Sequence, residues 1–253
     1  MTAIPVSAVI ICANAQQTIN ACLSTLAELD EVVLYLNDST DDTEQLAAVH
    51  PNVRIVHGTF IGFGPTKQAA TALARNDWIL SIDSDEWLDE ALLSSIAKTD
   101  FADTHAGYLV LRKNRFCGQH VQRGGWGNDE LLRLFNRNSA RFNAKMVHEK
   151  IEPDATVELR LLDGVLWHDA VTSVDQFLQK TSRYSELAAE QARDKPAQHP
   201  MFALLRSHYA FFRSYVLQLG FLAGWRGIVI AFARATGTFF KYAKRYSKSR
   251  GFE

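Results

Sequence analysis

No stretch of about 18 uninterrupted apolar residues occurs in the 253-residue chain, so no segment reads clearly as a membrane span. Cysteine is scarce. Cys12, Cys22 and Cys117 form an odd count without CxxC or metal-ligand spacing. That leaves no basis for a disulfide framework and points to a reduced compartment. Residues Met1 to Val6 carry no basic n-region, and no secretion signal is expected from them. The GxGxxG fingerprint is absent, which counts against a dinucleotide oxidoreductase. Net charge is only −1, which argues against a nucleic-acid binder. Internal repeats and low-complexity segments are also missing.

Acidic residues are unevenly distributed. From Met201 onward Glu253 is the only acid, against nine lysines and arginines. That tail carries +8 and the first 200 residues −9. Two charge regimes in one chain suggest two jobs.

Short β-branched runs alternate with helical patterns through the first 100 residues. Val6–Cys12, Glu31–Leu36, Val53–His57 and Trp78–Ile82 read as strands. Thr18–Leu29, Thr43–Val49 and Thr66–Arg75 read as helices. This rhythm predicts a parallel, doubly wound α/β sheet. Later strands are expected at Gly107–Arg112, Leu131–Asn136 and Glu158–Leu162, extending the sheet in mixed orientation. Helix is expected over Ser173–Arg193, then a proline-containing linker, then helices over Met201–Leu219 and Gly227–Tyr246. The domain reading is a catalytic unit over residues 1–170, a helical connector over 171–200 and a basic amphipathic tail over 201–253.

Asp83 and Asp85 follow the strand Trp78–Ile82 one residue apart. In extended chain they project to one side and can share a hard divalent cation, Mg²⁺ or Mn²⁺. Such a cation can neutralise a diphosphate leaving group. A solvated acidic turn capping the next helix is the plainer alternative. Asn37 and Asp38 open a polar loop after the second strand, where nucleotides meet open α/β sheets. A turn plus helix cap explains Asp42 and Thr43 at least as well. In Gly62-Phe63-Gly64-Pro65-Thr66-Lys67, glycines permit close backbone approach and Lys67 can meet a phosphate. Gly124, Gly125 and Trp126 can form a sugar platform, with Asp129 or Glu130 as general base toward an acceptor hydroxyl. Trp126 as a plain core plug fits equally well. His148 and His168 are of a metal- or phosphate-binding type, although a lone histidine is more often structural.

Taken in order, the motifs SAVII, NDSTDDT, FIGFGPTKQAA, NDWILSIDSDE, GGWGNDELLRLFNR, VHEKI and LQLGFLAGWRGIVIAFARA resemble family 2 glycosyltransferases. The similar branch contains the lipopolysaccharide core β-1,4-glucosyltransferases. The resemblance spans Ser7 to about Arg245. It implies a GT-A fold, a Rossmann-like mixed sheet with helices on both faces, followed here by the C-terminal amphipathic helices. It implies a nucleotide-sugar donor, UDP-linked, a divalent cation, and inversion by direct displacement. By the resemblance Asp83 and Asp85 take the metal role, Asp85 in direct contact, with His168 near a late metal-binding histidine. Asp129 falls where the catalytic base stands, and Lys67 on a lysine typical of the branch. The sequence departs from the pattern twice. The first strand ends Ala13-Asn14-Ala15 where an Asn-Glu pair usually helps hold the nucleotide, leaving Asn14 as the donor contact. Leu36 stands where an aspartate usually meets the uracil, so either the donor differs or Asn37 and Asp38 substitute.

In the tail, Met201, Leu205, Phe212, Val216 and Leu219 share one helical face. Arg234, Lys241, Arg245 and Lys248 form a basic stripe on the second helix. Basic amphipathic helices of this kind lie in the interface of anionic membranes. The expected protein is therefore a metal-dependent hexosyltransferase acting on a lipid-anchored glycan, peripheral on the cytoplasmic side of an inner membrane. Transfer to a polyprenyl phosphate or a protein, and a non-catalytic nucleotide-sugar-binding protein, are the competing readings. A membrane-associating helical protein with an inert α/β domain is a third.

Overall fold

The structure, a computed structural model, describes residues 3–145, 149–190, 192 and 196–252. It divides into two compact units. The first comprises Met1–Lys113 and Asp129–His168, and the second Asn114–Asn128 and Asp169–Glu253. The sequence elements run β1 (Ile4–Cys12), α1 (Ile19–Ser24), β2 (Leu29–Leu36), α2 (Thr43–Ala47), β3 (Val53–His57) and α3 (Phe63–Ala72). Next come β4 (Trp78–Ser81), β5 (Glu86–Leu88), α4 (Glu90–Ala97), β6 (Ala106–Phe116) and β7 (Gln119–His120). They are followed by β8 (Asn128–Asn136), β9 (Ala140–Phe142), β10 (Ile151–Pro153) and β11 (Glu158–Val171). Three long helices close the chain: α5 (Val174–Glu190), α6 (Pro200–Phe212) and α7 (Gly224–Ser249).

The main sheet has the order β3-β2-β1-β4-β8-β6-β11-β5. Strands β3, β2, β1 and β4 are parallel, with Ile10 opposite Leu34 and Val9 opposite Ser81. β8 then runs antiparallel to β4, and β5 antiparallel to β11. Period-2 alternation sorts the strand residues onto two faces. Val6, Ala8, Ile10, Val32, Leu34 and Leu80 pack with Ile19 and Leu23 of α1 and Leu92 and Ile96 of α4. Val9, Val33, Ile79 and Phe135 pack with Ala70 of α3 on the other face. A sheet buried on both faces explains why β1 and β2 read as continuous apolar runs. This is the expected mixed α/β sheet with helices on both faces.

Local boundaries differ from the sequence reading. The helix expected over Thr18–Leu29 ends at Ser24, because Leu29 joins β2 and pairs with Ile4. Its later leucines are buried in the sheet core rather than on a helix stripe. The strand expected over Glu158–Leu162 continues to Val171, so His168 lies on β11, directly opposite Glu86 of β5. Asp129 sits on β8 rather than in a loop.

One buried carboxylate braces the sheet. Glu31 is fully buried and accepts from the Ser7 hydroxyl at 2.7 Å, the Arg75 backbone N–H at 2.7 Å and Arg54 Nη2 at 2.8 Å. Burial pushes its pKa up, but these donors outweigh burial and lower it from 4.5 to about 2. The folded value lies below the unfolded one. The stabilisation is therefore complete above about pH 4.5 and is lost as pH falls toward 2. Glu31→Gln should cost roughly 3 kcal/mol at pH 7 and much less at pH 2. Urea unfolding of both proteins across that range measures it; parallel pH profiles would refute it.

In the second unit Phe116 centres an aromatic core, with Trp126 at 5.4 Å and Phe177 at 5.1 Å in edge-to-face contact. Val121, Val171 and Ile230 complete it. The helix expected over Met201–Leu219 stops being α-helical at Phe212 and continues as a π-helical turn over Arg213–Leu217. Leu219 then takes φ 55° and Gly224 φ 58°, and the two helical segments bend by 69°. Among the described residues no single helix is long and apolar enough to cross a membrane, though this bent pair meets the criterion by length and composition.

The basic stripe needs correction. Arg245 is buried and donates to the Pro196 carbonyl at 3.0 Å. Lys248 pairs with Glu186 and, at 3.7 Å, with Glu190 of α5. Arg234 is exposed but donates to the Gly125 carbonyl at 2.7 Å, and Lys241 is half-buried. α7 packs along α5, so the stripe is largely engaged within the unit rather than free toward solvent. The exposed apolar residues lie elsewhere, with Met201, Leu205 and Phe212 of α6 uncovered.

Candidate active site

The acidic cluster follows β4 at the carboxyl end of the parallel strands, where open α/β sheets collect ligands. Ile82 N–H still bonds to the Val9 carbonyl at 3.3 Å, tying the start of the loop to the sheet. The Asp83 N–H donates to Glu86 Oε2 at 3.0 Å, closing a tight turn. Glu86 is fully buried on β5.

Asp83 is held by two cations. Lys67 Nζ lies 2.8 Å from one carboxylate oxygen and Arg133 Nη2 3.1 Å from the other. Lys67 also meets Glu149 at 2.9 Å. Arg133 also meets Glu86 at 2.9 Å. Arg112 joins Glu86 at 3.1 Å to Asp129 at 2.9 Å. A continuous ladder therefore runs Glu149, Lys67, Asp83, Arg133, Glu86, Arg112, Asp129, with carboxylates and cations alternating. Lys67 and Arg133 are 4% and 7% exposed, so each depends on these partners for its charge.

The electrostatics follow from that alternation. Burial alone would raise the Asp83 pKa, but Lys67 and Arg133 hold it well below the usual carboxylate range. Burial lowers Lys67, and the Asp83 and Glu149 charges more than reverse it. Arg133 is likewise raised by Glu86 and Asp83 against its burial. The ladder is ionised throughout the neutral range at these three positions. Cys12, at the end of β1, is pushed up to about 12 by burial and by Asp41, so its thiol is no nucleophile here.

Asp85 stands apart from the ladder. Among the described residues no lysine or arginine reaches it, and its partner is His168 Nε2 at 3.5 Å. Nor does any group of three or more His, Cys, Asp or Glu side chains among the described residues form a complete metal cage. Asp85 and His168 supply one oxygen and one nitrogen donor; both oxygens of Asp83 are taken by cations. This donor pair fits a divalent ion.

The expected nucleotide loops clamp one another. Asn14, at φ 53°, accepts the Thr40 N–H at 2.9 Å and donates its own N–H to Ser39 at 3.0 Å. Asn37 is buried, its amide bonded to the Gly58 carbonyl at 3.1 Å. Asp38 is exposed at φ 45°. Asn37 thus braces β2 against the chain after β3, and Asn14 with Asp38 forms the open rim. Gly64 has a packing reason: a Cβ there would lie 2.1 Å from the Asn143 carbonyl. The glycines shape the chain, and Lys67 reaches inward to carboxylates.

Gly124, Gly125 and Trp126 fall in the second unit, outside the unit that holds Asp129. Gly124 and Gly125 take φ 72° and 79°, and Trp126 belongs to the Phe116 aromatic core. His148 lies outside the described residues. Sequence reasoning missed Arg112, Arg133, Glu86 and the pairing of Glu149. An arginine set inside an apolar strand, as in Leu131-Leu132-Arg133-Leu134-Phe135, is the signal available for Arg133.

The model for "Glycosyl transferase family 2" matches residues 7–156, more than half of the chain. A lipopolysaccharide core biosynthesis glycosyltransferase, LpsC of Rhizobium meliloti, is 28% identical over 97% of this chain and 93% of its own. An uncharacterised glycosyltransferase of Rickettsia typhi is 26% identical over 94% of this chain and 86% of its own. Among solved structures, S. aureus TarS residues 1–349 with UDP-GlcNAc overlaps with a TM-score of 0.45 at 15% identity, covering 97% of this chain and 92% of that one. Glucosyl-3-phosphoglycerate synthase of Mycobacterium tuberculosis overlaps at 0.34 and 22% identity, over 44% and 43% of the two chains.

Proposed function

The chain belongs to glycosyl transferase family 2, and on that premise we propose that its first unit moves a hexose, with inversion, from a UDP-sugar to a lipid-anchored glycan of the lipopolysaccharide core type. The observation that carries the reading is the charge ladder. It fixes Asp83, two residues before Asp85, at its centre and Asp129 at one end. Asp129 is the most exposed carboxylate of the ladder, its side chain 43% exposed against 34% for Asp83, and unlike Asp83 it meets a single cation of the ladder, as a base toward an incoming hydroxyl requires.

Asp85 and His168 would hold a Mg²⁺ or Mn²⁺, which would supply charge neutralisation for a departing diphosphate. The remaining steps belong to the chain. Asp129 accepts the acceptor hydroxyl proton as its oxygen attacks the anomeric carbon from the face opposite the diphosphate. The new C–O bond forms as the C–O bond to phosphate breaks, and its electron pair leaves with the diphosphate. Arg112, 2.9 Å away, orients the Asp129 carboxylate. Asn14 and Asp38 on the open rim contact the nucleotide. The core-type acceptor is favoured by the similarity to LpsC. The strongly basic second unit favours peripheral attachment to the inner face of an anionic membrane.

The test is direct. Purified protein with Mg²⁺ or Mn²⁺ is incubated with a panel of nucleotide sugars and truncated core oligosaccharides. Mass spectrometry should find one hexose added to a core acceptor from a UDP-sugar, with NMR showing inverted anomeric configuration. Transfer only to a polyprenyl phosphate, or retention of configuration, would overturn the proposal.

A further inference from the structure

The helices α6 and α7 pack against each other and leave a groove of about 530 Å³ on one side. Three arginines line it: Arg206 of α6, Arg213 of the following π-helical turn and Arg234 of α7. Arg206 and Arg213 are seven residues apart, which places them on one helix face. Among the described residues no carboxylate lies within ion-pair distance of any of the three, and none occurs in the sequence between Met201 and Phe252. By contrast, Lys244 and Lys248 are each paired with Glu186.

The arginines are also held in place. Arg206 donates to the Tyr242 hydroxyl at 2.7 Å and stacks over the Tyr242 ring at 5.0 Å. Arg234 is fixed on the Gly125 carbonyl. Tyr209 lines the same groove. Guanidinium groups gathered without a carboxylate suit a phosphate, which accepts several forked hydrogen bonds at once. Leu205, which lines the groove, is 72% exposed, an apolar element of the kind that meets lipid.

We propose that this groove is a phosphate-binding site, taking the phosphate mono- or diester of a lipid headgroup or of a phosphorylated glycan. It deepens the membrane part of the reading above and moves recognition from the basic stripe of α7 to a discrete site. It is independent of sugar transfer, because binding alone reads it.

Flotation of the full chain with phosphatidylcholine vesicles, with and without about one-fifth phosphatidic acid, tests it. Arg206→Gln/Arg213→Gln/Arg234→Gln should weaken binding to the anionic vesicles at least about tenfold. A control removing the same charge elsewhere in the unit, Arg123→Gln/Lys241→Gln/Arg250→Gln, should change it by about twofold or less. The pair Arg206→Gln/Arg213→Gln leaves the Arg234 contact with Gly125 intact and should retain most of the loss, which guards against a folding defect. Calorimetry with glucose 6-phosphate separates the sources. Saturable binding lost in the pair assigns a glycan phosphate, and binding confined to anionic vesicles assigns a lipid headgroup. Equal loss in the control, or no binding to either probe, would overturn the site.

Discussion

Replacing Asp129 with asparagine should lower kcat by about 10²–10⁴-fold while leaving donor affinity nearly unchanged. The amide keeps the shape of the side chain and can still accept from Arg112, now 2.9 Å from the carboxylate. What it loses is the capacity to take a proton from the acceptor hydroxyl. The fold should survive, because Glu86 remains to hold Arg112 at 3.1 Å. Steady-state kinetics with fluorescence titration of the UDP-sugar separates the two quantities. A near-normal kcat would move the base to Glu130 or Glu149. Of these, Glu149 is the weaker candidate, since its carboxylate is already paired with Lys67.

The second large effect divides two aspartates that look alike in sequence. Asp85→Asn should remove most turnover, as should EDTA, and Mg²⁺ or Mn²⁺ should restore only the chelated wild type. Its melting temperature should stay within about 2 °C of wild type, because no lysine or arginine among the described residues depends on it. Asp83→Asn should behave differently. It removes a charge shared by Lys67 and Arg133, both almost completely buried. Breaking such a pair leaves buried charge short of a partner, so the melting temperature should fall by about 5 °C or more alongside activity. Scanning calorimetry of both variants decides. Full activity of Asp85→Asn in EDTA would remove the metal from the mechanism, and equal thermal stability would remove the structural role of Asp83.

Much of the site was legible because it is local. Asp83 and Asp85 sit where a strand pattern ends, and the chemistry of adjacent carboxylates needs no knowledge of distant residues. The partners were not legible. Arg133 lies 50 residues from Asp83 and 47 from Glu86, and nothing in either segment names the other. Trp126 was equally open to two readings from its surroundings in sequence. Its contacts with Phe116 and Phe177 come from the folding of the second unit. The basic stripe failed for a related reason. Helical periodicity places Arg234, Lys241, Arg245 and Lys248 along one helix, but whether a face meets solvent depends on the neighbouring helix. Glu186 and Glu190 of α5 supply the acids that engage Lys248.

By itself the sequence determined the class of fold, the parallel half of the sheet, the acidic turn after β4 and the basic character of the C-terminal unit. Each is set by periodicity or composition over a few residues, through backbone geometry and burial that act locally. Only the tertiary structure decided which carboxylates are sequestered and which are available. It bound Asp83 to Lys67 and Arg133, left Asp85 beside His168, and drew three arginines, without a carboxylate partner among the described residues, around one groove. Charge pairing in a buried environment is a property of distance in space. That distance is set when β8, β6 and β11 assemble beside β4 and when α6 packs on α7.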